Sequence, residues 1–352
     1  MYVRWFGDLN LGDRSSVGGK GASLGELTRA GIRVPPGFVV TTAAFETALA
    51  ALDPAAGIRA AIERLDAGDL DAVSKLSESI RTRFAAAKLP ADLLGTVAQA
   101  YAALVGAGAG TDAAVAVRSS ATSEDSADAS FAGLQDTHLC VRGAQDVIRS
   151  LGACWSSLYS RESVMYRLRL GLPERHVAMG VVVQRMLESR SSGVMFTRSP
   201  LTGDRSVITI EAGLGLGSAL VGGEVTPDNY VVAKVTGDIV KRTVSAKTVR
   251  HVSAAGGGVR VEALEGPLQL QPALSDAEIH ALADIGKRVE QHYGSPQDIE
   301  WAIAADEAGR EHVYLLQSRP ETVWSRRDTE PVAQPAARAY DHVLAALGGL
   351  RR

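Results

Sequence analysis

Five polar residues, far apart along the chain, are of the types that handle phosphate and oxygen-ligated cations: Lys20, Arg118, Glu300, Gln317 and Arg319. Arg118 follows the apolar run AAVAV at 113–117 and precedes the tract SSATSEDSADASFAG at 119–133. Small residues of that kind let backbone N–H groups approach an anion; the same composition also suits a solvated loop. In DIEWAIA (298–304) the alternation of a strand puts Asp298, Glu300 and Ala302 on one face and Ile299, Trp301 and Ile303 on the other. In HVYLLQSRP (312–320) it puts Gln317 and Arg319 on one face. Two such strands side by side offer two carboxylates, an amide oxygen and a guanidinium. Oxygen ligands suit Mg2+ shared with substrate phosphates, and arginine suits the phosphates themselves; a polar surface is the other reading.

Lys20 lies in Gly18-Gly19-Lys20-Gly21, just before a predicted helix, as a lysine that reaches a triphosphate or as a solvated turn lysine. The segment is not a Walker A loop, because Arg14 stands where the first glycine belongs and Gly21 where the Mg2+-binding Ser/Thr belongs. GLGLG at 213–217 is not a dinucleotide fingerprint, since Leu220 replaces its last glycine. The seven histidines form no HxH or HxxxH pair, and zinc is not expected. No GxSxG elbow supports a hydrolase of that type.

These side chains need a scaffold, and 352 residues suffice for about two domains. A hydrophobic share of 46% and a charged share of 22% are those of a globular chain. The net charge of -3 provides no basic field for nucleic acid. Cys140 and Cys154 read as small core residues in a reducing compartment. With no leader-like N-terminus and no apolar run of membrane-spanning length, the chain is expected to be cytoplasmic, without a membrane partner.

Along the chain, a glycine turn leads into a short helix ending near Gly31, and an alanine-rich helical region spans about 43–108. A helix over 151–170 presents Leu151, Cys154, Trp155 and Leu158, and HVAMGVVVQRML (176–187) is a buried strand. Strands follow at 192–197 and 206–212, then a hairpin about Thr236-Gly237-Asp238. Ser275 and Glu278 form a capping box for a helix over 277–293, buried through Ile279, Leu282, Gly286, Val289 and Tyr293. After a charged linker, Tyr340, Val343, Leu344 and Leu347 stripe a terminal helix that either caps its own domain or docks a partner.

The stretches VGGKGASLGELTRAGIRVPPGFVVTTAAF, AVRSSATSEDSADASFAGLQDT, VVVQRM, SSGVMFTRSPLTGD, GEVTPDNY and QDIEWAI…VYLLQSRPET resemble, in order across residues 10–323, the ATP-binding domain of the phosphoenolpyruvate synthase and pyruvate phosphate dikinase family. The resemblance implies an α+β, two-lobed ATP-grasp fold: an N-terminal lobe over 1–184, a C-terminal lobe over 185–324, and a linker and tail helix over 325–352. It implies ATP and Mg2+ as cofactors. Lys20 and Arg118 would reach the triphosphate, and Ser130, Ala132 and Gly133 would belong to the covering loop, with Thr137 beyond it. Gln184, Met186 and Leu187 would run beside the adenine. Glu300 and Gln317 would hold Mg2+, and Arg319 would neutralise the transferred phosphoryl group.

One position departs from the family: where it reads GLGE, this sequence has Gly215-Leu216-Gly217-Ser218, a hydroxyl in place of a carboxylate. None of the histidines sits in the Thr-Ser-His context of the family's swivelling phosphohistidine domain. The expectation is therefore the ATP-binding subunit of a split dikinase, similar to those of phenylphosphate synthase and cresol-phosphorylating enzymes. It would work with a separate phosphohistidine subunit on a small acceptor hydroxyl, of phenol or cresol type. Pyruvate as acceptor and a non-catalytic, nucleotide-binding regulator are the alternatives.

Overall fold

Long apolar runs such as VVVQ need two apolar neighbours, one for each face of the strand, and the chain provides them by wrapping helices around one sheet and laying another helix on a second. In the computed structural model, residues 1–106, 113–122 and 136–325 are described in full, and 125–126 and 129–130 by their backbone. Met1–Glu321 make one compact unit and Thr322–Arg352 another.

The first part of the larger unit contains β1 (Val3–Trp5), α1 (Arg14–Arg29), β2 (Gly37–Val40), α2 (Thr42–Leu52), α3 (Gly57–Glu63), α4 (Leu70–Ala86) and α5 (Ala91–Gly106). It continues through β3 (Val115–Ala121), the short pair β4 (Asp125–Ser126) and β5 (Ala129–Ser130), β6 (Thr137–Val141), α6 (Ala144–Ser157), α7 (Arg161–Leu170) and β7 (Met179–Arg185). Next come β8 (Ser189–Phe196), β9 (Val207–Leu214), α8 (Ser218–Val221), β10 (Asp228–Ala233) and β11 (Ile239–Thr243). Last are β12 (Val249–Ser253), β13 (Val259–Ala263), α9 (Asp276–Tyr293), β14 (Gln297–Ala305) and β15 (Glu311–Pro320).

The first sheet has the order β1-β2-β7-β3-β6, antiparallel throughout. Its central strands alternate between two cores. Phe38, Val40, Val181 and Val183 join the helical core with Phe45, Leu151 and Trp155, while Val39 and Val182 pack with Val17, Ala22 and Leu24 of α1 on the other face. Period two therefore reads as a continuous apolar run, because both faces are covered.

The second sheet has the order β11-β10-β9-β8-β14-β15, also antiparallel. One face buries Met195, Ile210, Tyr230, Ile299 and Trp301 against Ile279, Leu282 and Val289 of α9. The capping box of α9 forms as expected, with Ser275 Oγ accepting from Glu278 N–H and the Glu278 carboxylate accepting from Ser275 N–H. Glu211, Val194, Glu300 and Gln317 stand opposite one another in a single row across the opposite face. The GEVTPDNY stretch has a packing role here: fully buried Asp228 accepts from Lys247 Nζ at 2.6 Å and from the N–H groups of Ser245 and Ala273.

Several expected elements differ in extent. The helical region after residue 43 is four helices, and that after 151 is two, because Ser160 caps a new helix by accepting from Ser163 N–H. Lys20 lies within α1 rather than before it, since the helix starts at Arg14 and kinks at Gly18. Arg118 does not end its strand, which runs three residues further to Ala121. The segments β6, β12 and β13 have no counterpart in the sequence reading. The terminal helix expected around Tyr340–Leu347 lies outside the described residues. Among those described, no helix is long and apolar enough to cross a membrane.

Gly18 fixes where Lys20 goes. Its φ of 74° and ψ of 175° fall in a region essentially reserved for glycine, and a Cβ there would lie 1.8 Å from the carbonyl oxygen of Ser120. Ser120 Oγ also donates to Val17 O at 2.8 Å and accepts from Gly21 N at 3.0 Å, so the segment around Lys20 is stitched to the strand that carries Arg118. Gly18→Ala is expected to cost about 3 kcal/mol or more in urea unfolding, from backbone strain and overpacking together.

Candidate functional site

Arg118 leaves the first sheet and meets the second. Its Nη1 donates to Leu316 O at 2.9 Å, and its Nη2 donates to Glu300 Oε2 and to Gln317 Oε1, both at 2.8 Å. The carbonyl is on offer because the β14–β15 ladder slips there. Glu300 faces Gln317 while Trp301 faces Leu315, which leaves Leu316 without a cross-strand partner, as in a bulge. Two side-chain oxygens and one carbonyl thus converge on one cationic head, and the two side-chain groups, a carboxylate and an amide oxygen, are of the kind that ligates Mg2+ with the help of phosphate oxygens and waters. Among the described residues no group of three or more His, Cys, Asp or Glu side chains could hold a metal ion by itself.

Beside this cluster lies a cavity of about 450 Å3 between the two sheets. Leu139, Met186, Leu187, Leu216, Val221 and Trp301 make it largely apolar, and Arg118, Thr137 and Glu300 give it a polar end. Apolar walls with a few convergent polar groups are the usual form of a small-molecule site. Gln184 borders the cavity, but its amide is buried and donates to Pro35 O at 3.3 Å. Gly193 belongs to the floor, where a Cβ would meet Glu211 O at 1.9 Å.

The structure therefore brings Arg118, Thr137, Gln184, Met186, Leu187 and Glu300 to one cavity and adds Gln317 through Arg118. Lys20 and Arg319 do not line it. Arg319 is about half exposed on β15, with Nε 3.4 Å from Asp298 Oδ2 directly across the ladder. Ser130 stands in β5 by its backbone; its side chain, together with Ala132 and Gly133, lies outside the described residues.

Three acidic or hydroxyl groups nearby were not singled out from the sequence in these roles. Asp298 keeps one buried carboxylate oxygen, Oδ1, without a hydrogen bond. Burial pushes its carboxyl up to about 6, against the pull of Arg319 and with a contribution from Glu321. Burial likewise pushes up the Glu211 carboxyl, in the same cross-sheet row as Glu300. Ser218, on the cavity wall, is bonded to His251 Nδ1 at 2.8 Å, and His251 Nε2 lies 3.2 Å from Glu224 Oε2. The alternation of β14 exposes Asp298 in the sequence, whereas nothing in the spacing of 218, 224 and 251 foretells their meeting.

Replacing Arg118 by methionine leaves Glu300 and Gln317 facing each other without their shared donor. In nucleotide-free protein, Arg118→Met is expected to lower stability by about 1–3 kcal/mol in urea denaturation, the range for hydrogen bonds to a charged group. Since Glu300 is about a third exposed, the lower half of that range is expected. The double variant Arg118→Met/Glu300→Gln should recover part of the loss.

Comparison with known proteins follows the same lines. The family model for the pyruvate phosphate dikinase AMP/ATP-binding domain matches residues 14–339. A rifampicin phosphotransferase of a Streptomyces species is 44% identical over 316 residues, which cover 90% of this chain and 35% of that protein. A probable phosphoenolpyruvate synthase of Methanothermobacter thermautotrophicus is 42% identical over 321 residues, covering 91% and 46%. The phosphoenolpyruvate synthase of Pyrococcus furiosus is 37% identical over 385 residues, covering 99% and 47%. The chain spans less than half the length of these relatives.

Proposed function

The chain belongs to the pyruvate phosphate dikinase AMP/ATP-binding domain family, and on that premise we propose that it is the ATP-binding part of a dikinase-type phosphotransferase. The observation that carries this reading is the convergence of Arg118, Glu300 and Gln317 at the polar end of an otherwise apolar cavity. The apolar walls, with Met186 and Leu187, take the adenine. The triphosphate runs past Arg118 toward Lys20 and Arg319, with Thr137 at the same polar end of the cavity.

Glu300 and Gln317 are the residues that would hold Mg2+, and the ion would supply neutralisation of charge on the phosphate oxygens. For that, Arg118 must release the two oxygens and turn its guanidinium to the phosphates, an exchange of one charge-assisted partner for another. Arg319 stabilises the charge on the phosphoryl group in transfer, held meanwhile by Asp298. These residues position and neutralise; the nucleophile comes from elsewhere.

That nucleophile is a phosphohistidine domain, contributed by a separate subunit or by a further part of the same polypeptide. The greater length of the relatives supports such a part. The histidine attacks the β-phosphorus of ATP, AMP leaves, water removes the terminal phosphate, and the remaining phosphoryl group passes to an acceptor hydroxyl, whose proton is lost. The acceptor is a small hydroxyl compound of phenol or cresol type. A pyruvate acceptor is the second reading, favoured by relatives named phosphoenolpyruvate synthase. Ser218 at the family's glutamate position favours a third, a nucleotide-binding regulator without turnover.

Calorimetric titration of the folded protein with Mg2+ and ATP should give saturable heat at or below millimolar nucleotide; its absence would rule out the nucleotide site. With a phosphohistidine partner, β-32P-ATP should leave an acid-labile label on that partner and release AMP. ADP as the sole nucleotide product would instead mean a simple kinase. Arg319→Ala should fold normally, because the side chain is half exposed, yet lower the labelling rate on the order of 100-fold or more.

A further inference from the structure

Ser218 at the start of α8, Glu224 just past the turn that follows it and His251 on β12 form one hydrogen-bonded chain that ends on the cavity wall. The ring is held from its backbone. Leu216 N donates to His251 O at 2.8 Å, and Gly215 pairs with His251 in an isolated parallel bridge. Gly215 has φ of 78°, and a Cβ on it would lie 2.3 Å from that same carbonyl, so only glycine lets β12 come this close. Ser192 Oγ in turn donates to Gly215 O at 2.6 Å, tying the arrangement to β8 on the cavity floor. His251 itself is buried, while Glu224 is about half exposed.

The direction of the hydrogen bonds follows from the groups. A carboxylate only accepts, so the Glu224 contact puts the proton of a neutral imidazole on Nε2. Nδ1 is then an acceptor, and Ser218 must donate its one proton to it. The serine hydroxyl has nothing left to donate and presents lone pairs to the cavity. A solvated serine rotates freely and serves either purpose; this one is set as an acceptor.

We propose that Ser218 is the hydrogen-bond acceptor by which the cavity recognises a donor group of its nucleotide, with His251 and Glu224 as positioning residues that fix the direction of the serine hydroxyl. The inference rests on the nucleotide reading given above and adds a specificity determinant to it. A nucleoside triphosphate carries such donors in two places, the ribose hydroxyls and the adenine amino group.

The test is calorimetric, with the Mg2+ complexes of ATP, 2′-deoxy-ATP, 3′-deoxy-ATP and the triphosphate of purine riboside, which lacks the amino group. In the parent protein one of the three analogues is expected to bind about five- to tenfold more weakly than ATP, the scale of one hydrogen bond whose loss leaves a polar group unpaired; which one it is identifies the donor. In Ser218→Ala that analogue and ATP should bind within about twofold of each other. Ser218→Thr, which keeps a hydroxyl, should restore the preference. His251→Phe should reduce it, whereas Glu224→Gln, whose amide oxygen still accepts from Nε2, should retain most of it; a merely structural role would move all affinities together and leave the ratio alone. Equal binding of all four ligands to the parent, or an unchanged preference in Ser218→Ala, overturns the inference while the nucleotide site stands. Failure of the parent to bind ATP at all overturns both.

Discussion

The three hydrogen bonds of Arg118 are the point on which the candidate site depends, because they join a strand of one sheet to two strands of the other at the place where each has something unusual to offer. Glu300 and Gln317 face each other across β14 and β15, and the slip just beyond them frees the carbonyl of Leu316. A single planar guanidinium satisfies all three oxygens, which an ammonium on a flexible stem would do less well. The arrangement is satisfied by protein groups and still convertible. Its bonds are the charge-assisted kind that a phosphate can replace, and Glu300 is open enough to solvent to exchange its partner.

Everything behind that cluster is built to hold the strands still. The first sheet gains its rigidity from burial on both faces, with alternate residues of β2 and β7 going to separate cores. The second is covered by α9 on one face only, and this leaves the row Glu211, Val194, Glu300 and Gln317 on the other. Glycines bring backbones together where a side chain would hold them apart: Gly18 on Ser120, Gly180 on Val17, Gly193 on Glu211, each with a Cβ position less than 3.0 Å from a carbonyl oxygen. The first two of these contacts fix α1, and hence the segment of Lys20, against β3 and β7.

Much of this was legible in the sequence where burial is periodic. The face of Ile299, Trp301 and Ile303, the hairpin turning at Gly237, and the capped α9 with its buried Ile279, Leu282, Gly286 and Val289 all follow from alternation, glycine and capping. So does the placing of Asp298 with Glu300 on one strand face and of Gln317 with Arg319 on another, whereas which residue stands opposite which is seen only in the ladder. What stayed hidden lacks such a period. The ribbon β12–β13 belongs to neither main sheet, and most of its side chains are exposed or half-buried, so its residues carry no apolar pattern and His251 gave no hint of being interior. The break between α6 and α7 carries little signal, because the apolar face continues through Leu158 and only the small cap at Ser160 marks the new start. Arg118 reads from the sequence as a phosphate ligand, but its bonds to Glu300 and Gln317 are a tertiary fact that no local pattern encodes.

The position of Ser218 links these levels. A carboxylate there would stand at the wall of a cavity whose polar end already holds Glu300, with the partly buried carboxyls of Glu211 and Asp298 on the same sheet, and burial already raises both of those toward the neutral form. A further buried negative charge without a partner would be costly. The serine removes that charge from the wall, and the chain of bonds through His251 ends on Glu224, an acid that is about half exposed and does not line the cavity. The cavity keeps a directed acceptor without keeping the charge. For a ligand that is itself polyanionic, this leaves the attraction to Arg118 undiminished by another carboxylate beside it.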